Sequence, residues 1–237
     1  MNAFFKELDY QSTSIGDISL RVRRDPRTDE PLYEIKLDDE YLMSSMFTES
    51  ETALGRLGID EHPGDHLHVV VGGLGLGYTA RAVLESPRVA SLVIVETLQP
   101  VIDWHTNGLL PLGAELTGDS RCRFVRGDFF SMAASPHGFD PEQDGRRFDA
   151  ILVDIDHSPG RHLAPAHASL YQPDGLARLS SHMNPAGIFG LWSNNPVDPD
   201  FTGQLRHVFR TARGENIVFH NHLQDRDSTQ SIYLAQR

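Results

Sequence analysis

The chain has a single cysteine, Cys122, so no disulfide can close within it, and a reducing compartment is the expected setting. It lacks any run approaching the roughly 18 apolar residues that span a bilayer. Its opening ten residues carry Lys6, Glu7 and Asp9 where a signal peptide would be apolar. These absences predict a cytoplasmic protein with no membrane partner. Positive charge is also scarce: 21 lysines and arginines against 33 acidic residues leave a formal net charge of −12. Such a field repels a phosphate backbone unless a local basic patch opposes it. The basic clusters, Arg21-Val22-Arg23-Arg24 and Arg146-Arg147, each have acids close by, so nucleic acid is not an expected partner, whereas a small cationic substrate suits the balance. No internal repeat or low-complexity tract occurs. What remains is 237 residues, 39% apolar and 23% charged, enough for one full core and a small appended unit.

Residues 1–60 read as that unit, a small β-meander plus a helix. Ile18, Leu20 and Val22 alternate with polar positions, as do Tyr33, Ile35 and Leu37, and Tyr41-Leu42-Met43 resumes after a turn at Asp38-Asp39-Glu40. Thr48 with Glu51 three residues on is a capping-box signal for a helix through Ala53, Leu54 and Leu57, which Gly55 weakens and Gly58 is expected to end. Residues 61–237 then alternate strand and helix. Short apolar runs predict strands over 67–71, 92–95, 123–126, 150–153 and 188–192, with helices over 78–85, 100–107 and 172–183. Asn184-Pro185-Ala186-Gly187 reads as a turn into the fifth strand, and 216–220 with 231–235 as a closing hairpin. The expected fold is α/β, a three-layer Rossmann-like sandwich with a mostly parallel seven-stranded sheet. Such sheets bind ligands beyond the carboxyl ends of their strands, where strand order reverses.

Three features gather at those ends. Leu67-His68-Val69-Val70-Val71 runs into Gly72-Gly73-Leu74-Gly75-Leu76-Gly77 and then directly into a helix. Gly73, Gly75 and Gly77 let backbone approach a ligand, and the helix start offers unpaired N–H groups. The dinucleotide fingerprint G-x-G-x-x-G does not fit, because the place of its last glycine holds Tyr78. The second strand ends in Glu96, 19 residues after Gly77, where a carboxylate can accept both hydroxyls of a ribose. The third ends in Gly127-Asp128, whose carboxylate can accept from an adenine amino group. Together they read as one adenosine-shaped site.

The fourth strand ends in Asp154-Ile155-Asp156-His157. Asp154 is a candidate to hold a cationic group or act as a base, and His157 is a candidate base because imidazole titrates near neutrality. His157, His162 and His167 recur at intervals of five, which share no helical face, and no zinc pattern completes them, so no metal site is expected. Cys122 shows no sign of a nucleophilic role. Trp192-Ser193-Asn194-Asn195 is expected to line an acceptor pocket.

The stretches VVVGGLGLGYTARAVLE, LVIVE at Glu96, GD at Asp128, FDAILVDID at Asp154 and NPAGIFGLW resemble the spermidine synthase (polyamine aminopropyltransferase) family, within the class I S-adenosylmethionine-dependent methyltransferase fold. The likeness runs from about Tyr33 to the C-terminus, and the N-terminal meander is similar to the small β-domain of those enzymes. It implies a transferase whose cofactor is S-adenosylmethionine or decarboxylated S-adenosylmethionine, with Glu96 on the ribose, Asp128 on the adenine and Asp154 at the transfer centre. The partner it implies is a small-molecule acceptor such as an amine, and a homodimer is admitted. Departures accompany the resemblance. The family's donor-amine aspartate is matched by Gly75, its Tyr-Gln pair by the junction Glu49-Ser50-Glu51-Thr52, and two further acids by His157 and Asn194. These losses tilt the expectation slightly toward methyl rather than aminopropyl transfer, with Glu49, Glu51 or Asp156 as compensating acids. The alternative is an adenosine-ligand binder or scaffold that kept the fold without catalysis.

Overall fold

The computed structural model describes residues 5–25 and 27–237. Four antiparallel strands, β1 (Phe5–Thr13), β2 (Gly16–Arg24), β3 (Pro31–Leu37) and β4 (Glu40–Ser44), pair in chain order as a meander. β1 extends the expected unit by one strand. Its side chains are exposed or half-buried throughout, so it carries no alternation to announce it. Trp104 from the main body fastens it, donating Nε1–H to Asp9 at 2.6 Å.

Helix α1 (Glu49–Asp60) runs straight through Gly55 and Gly58, so the expected stop at Gly58 is corrected. The reason is packing. A Cβ on Gly55 would lie 2.6 Å from that of Ala82, and one on Gly58 2.6 Å from a Leu152 methyl. The two glycines let the helix seat closely, at a cost in helix propensity of about 1 kcal/mol each.

The main sheet has five parallel strands, β5 (Leu67–Gly72), β6 (Val89–Glu96), β7 (Cys122–Arg126), β8 (Phe148–Val153) and β9 (Met183–Ser193), extended by the antiparallel hairpin of β10 (Thr211–Asn221) and β11 (Arg226–Gln236). Their spatial order is β10-β11-β9-β8-β5-β6-β7. The expected turn at 184–187 lies inside β9 as an irregularity: Ala186 has φ 62°, and the pairing with β8 jumps from Met183 to Ile188.

Helices cover both faces. Val69, Val71, Ile94 and Leu152 pack toward α1, α2 (Tyr78–Leu84), α3 (Gln99–Thr106) and α4 (Gly113–Gly118), while Val70, Val93, Ile151 and Val153 pack toward α5 (Phe129–Ala134), α6 (Pro173–Ser181) and α7 (Pro199–Val208). Burial on both faces is why these strands read as continuous apolar runs. Ile18, Leu20 and Ile35 of the meander join the first of these cores. Of the unanticipated helices, α7 carries a readable start: Asp198 accepts from the Asp200 amide at 2.9 Å, with Pro199 in the first turn. Among the described residues no helix is long and apolar enough to cross a membrane.

The chain builds β5, β6 and β7 outward to one edge, then returns to lay β8 on the other side of β5. Strand order reverses there, and the carboxyl ends of β5 and β8 open onto a crevice.

Candidate active site

That crevice is a cleft of about 690 Å³. Its floor is the loop after β5. Gly73 and Gly75 have φ of 90° and 46°, the left-handed region that favours glycine. A Cβ on Gly73 would stand 2.2 Å from the Asp154 carbonyl oxygen, so only glycine lets β5 and β8 end side by side. Gly77, also left-handed at φ 93°, lies apart from the cleft lining; it turns the chain into α2 against Leu116 and His105.

Glu96, at the end of β6, braces the loop. Its Oε2 accepts from the Leu74 amide at 3.0 Å and its Oε1 from the Leu98 amide at 2.8 Å. Burial raises its carboxyl above the usual range, against the pull of those amides. On the far side, His105 Nε2 lies 2.9 Å from the Gly75 carbonyl. A carbonyl only accepts, so that nitrogen carries the proton. His105 is 1% exposed, and burial holds its pKa below the usual imidazole value.

Asp128 lines the cleft as the N-cap of α5. Its Oδ1 accepts from the Phe130 amide at 3.0 Å and its Oδ2 from the Ser131 hydroxyl at 2.6 Å. Asp154, just beyond β8, accepts from the Thr79 hydroxyl at 2.7 Å.

Glu51 carries two expectations, the partner of a cap and a compensating acid. The expected capping box does not form: the Thr48 side chain makes no cap bond, and the Thr48 amide is taken by Glu49 at 2.9 Å. Glu51 instead turns inward, 6% exposed, to line the cleft beside Asp154. Burial and the neighbouring Asp154 charge push its carboxyl up to about 8, and burial pushes Asp154 up to about 6. The two titrate as a coupled pair, both raised and Glu51 the higher. The hydrogen bonds agree. Ser50 Oγ accepts from Trp192 Nε1 at 2.8 Å, and lies 2.6 Å from Gln230 Oε1 and 2.8 Å from Glu51 Oε2. One hydroxyl hydrogen cannot serve both oxygens, whereas a protonated Glu51 donates to Ser50 and frees Ser50 to donate to Gln230. The sequence did hold a signal: Glu51, Leu54 and Gly58 share a buried helical face, where a carboxylate is out of place.

The other candidates fall differently. His157 lines the cleft, but its Nε2 is buried without a hydrogen bond, 3.5 Å from Glu40 Oε2, and among the described residues no bond links it to Asp154. Asp156 is turned away from the acid pair and bonded within its own loop. Glu49 is exposed. Trp192 and Asn194 line the cleft while Ser193 points into the core, as alternation along β9 requires. Burial pushes the Cys122 thiol up to about 12, which leaves it inert as a nucleophile.

Comparison with solved structures matches this architecture over nearly its whole length. A spermidine synthase in complex with the transition-state analogue AdoDATO superposes with a TM-score of 0.73 at 17% identity, covering 98% of this chain and 73% of the other. The spermidine synthase from Thermotoga maritima gives a TM-score of 0.71 at 16% identity, covering 98% and 72%. The chain has the spermidine synthase fold. No family model matches the sequence. Within this spermidine-synthase-like frame the departure at Gly75 has a structural counterpart. A Cβ there would meet Met43 Sδ at 2.9 Å, and the same sulfur accepts from the Leu76 amide at 3.3 Å. A thioether from the small sheet fills the space an aspartate would need.

Proposed function

We propose that the chain is a spermidine-synthase-like transferase that binds an S-adenosyl donor and moves an aminopropyl group to a small cationic amine. One observation carries this reading: the cleft is lined by four carboxyl side chains, Glu51, Glu96, Asp128 and Asp154, and by no lysine or arginine among the described residues. Such a lining repels phosphates and suits a sulfonium and an ammonium together. The loop at Gly73 and Gly75 fits a nucleoside because backbone, not side chain, forms the floor. Glu96 is assigned to the ribose, Asp128 to the purine, and Glu51 with Asp154 to the acceptor.

When bound, the donor supplies a carbon made electrophilic by its sulfonium. The chain's own groups do the rest. Glu51 and Asp154 hold the acceptor by one charged nitrogen; Asp154, held by Thr79, would take its proton, freeing the lone pair that forms the new C–N bond as the C–S bond breaks and the neutral thioether leaves. Positioning supplies most of the acceleration. Glu51 also answers the missing polyamine-binding acids that tilt the sequence reading toward methyl transfer.

A second reading, methyl transfer from S-adenosylmethionine, is favoured by the Met43 thioether at Gly75, which leaves no carboxylate at the donor-amine position of the family. Calorimetry with S-adenosylmethionine, its decarboxylated form and methylthioadenosine, followed by turnover with putrescine and other amines, separates the two. Preference for the decarboxylated donor with amine turnover supports the first; preference for S-adenosylmethionine with a methylated product replaces it with the second. Nucleoside binding without turnover of any acceptor rejects both.

A further inference from the structure

A further buried carboxylate stands beside the cleft, unused by the function above. Asp156 is 1% exposed and gathers three partners: the Leu163 amide at 2.7 Å, the Tyr171 hydroxyl at 2.8 Å and His167 Nδ1 at 2.8 Å. A buried carboxylate is satisfied only by donors, so Nδ1 of His167 carries a proton, and in the neutral imidazole Nε2 is the acceptor. The ring is fixed as well as the tautomer. His167 stacks on Phe130 with centroids 3.6 Å apart and planes 11° apart, and His162 stacks on Tyr171 at 5.0 Å and 15° behind the same carboxylate.

This imidazole faces the cleft. The His167 side chain is 17% exposed and shares the lining with Asp128, Phe130, Ser131 and Ala134 along α5. Within the described residues its Nε2 makes no hydrogen bond. Its neighbour Asp128 already spends one lone pair of each oxygen on its own helix. The purine end of the cleft thus presents a second acceptor, rigid and without a competing partner.

We propose that His167 is a specificity-determining residue whose Nε2 accepts from the exocyclic amino group of the bound purine, selecting 6-amino over 6-oxo purines. A 6-oxo purine would set a carbonyl lone pair against the Nε2 lone pair, the mismatch by which sites built for a hydrogen bond reject analogues. The proposal rests on the nucleoside reading above.

The test is calorimetry with 5′-methylthioadenosine and 5′-methylthioinosine on the wild-type chain, His167→Phe and His167→Gln, each checked for fold by circular dichroism. Phenylalanine keeps a ring on Phe130 but has no acceptor, and glutamine returns one. The wild-type chain is expected to prefer the 6-amino nucleoside by about tenfold or more, the worth of one hydrogen bond. His167→Phe loses most of that preference through weaker methylthioadenosine binding, with methylthioinosine unchanged, and His167→Gln regains part of it. An unchanged preference in His167→Phe overturns the proposal and leaves the nucleoside reading standing. Equal weakening of both nucleosides also overturns it, reducing His167 to a structural support. If the wild-type chain binds neither nucleoside, the nucleoside reading falls and takes this inference with it.

Discussion

Replacing Glu51 by glutamine tests the acid pair most directly. In the folded chain the Glu51 carboxyl sits at about 8, against an ordinary value of 4.5, because burial and Asp154 both disfavour its charge. A group raised in this way stabilises the fold fully below its unfolded value and loses that contribution as pH rises through its folded value. Between these limits the loss amounts to at most about 5 kcal/mol, at about 1.4 kcal/mol per pH unit. Part of that shift belongs to the coupled Asp154, and taking about half of the limit gives a working figure of about 2–3 kcal/mol. Glutamine cannot ionise, so Glu51→Gln matches the wild-type chain near pH 5 and exceeds it at pH 9. For a chain of this size the gain is about 5–10 °C in Tm. Differential scanning calorimetry without ligand, from pH 5 to 9, reads this as a difference between two curves, in which the titrating groups outside the Glu51–Asp154 pair cancel. The same pair predicts that amine binding near pH 7 releases about one proton from the wild-type chain and none from Glu51→Gln, measured as the dependence of binding heat on buffer ionisation enthalpy. A Tm difference that is constant with pH would refute the raised Glu51 carboxyl, whatever its sign.

The remaining predictions are simpler. Glu96→Ala should make nucleoside binding undetectable by calorimetry, and should cost about 1–3 kcal/mol by stranding the Leu74 and Leu98 amides; unchanged affinity would reject the ribose assignment. Asp154→Asn should keep nucleoside affinity and lower turnover at least about 100-fold, the usual worth of a placed base; normal turnover would remove Asp154 from the chemistry. Gly73→Ala, whose methyl would meet the Asp154 carbonyl at φ 90°, should destabilise the chain by about 2–3 kcal/mol in thermal unfolding; a wild-type Tm would contradict the close approach of β5 and β8. His105 titrates in the opposite sense to Glu51. Its pKa is lowered in the fold, so its contribution is complete above about 6.5 and is lost as pH falls toward the folded value. His105→Phe should flatten that acid limb in the same scans, and an unaltered limb would assign it to other groups.

Much of this was legible because it is local. The β5 run and its glycines, Glu96 and Asp154 each follow a short apolar stretch, so apolar continuity and glycine content mark the edge where the cleft opens. The acid pair was not legible in that way. Glu51 stands three residues after Thr48, the spacing of a cap, and the Ser50 hydroxyl it bonds is held by Gln230 and Trp192 from the far end of the chain. Local spacing offered a sufficient explanation, and tertiary contacts chose another. His167 was hidden for a different reason: an irregular loop joins it to Asp156, 11 residues away, so no periodicity relates the two. The glycines of α1 misled because helix propensity counts only what glycine costs the helix, while its close seating on Ala82 and Leu152 is a property of the neighbours.

The small sheet contributes more than a cap over the first core. Ile35, Leu37, Tyr41, Leu42 and Met43 form one wall of the cleft, facing a floor made by the main sheet's loops. The two halves are held by different forces, since the floor depends on backbone hydrogen bonds that few substitutions spare and the wall is a row of apolar side chains. Exchanges at Tyr41 and Leu42 can therefore reshape the enclosure, whereas Met43 also touches the floor through the Leu76 amide. A scaffold divided in this way separates the part free to vary from the part that is fixed.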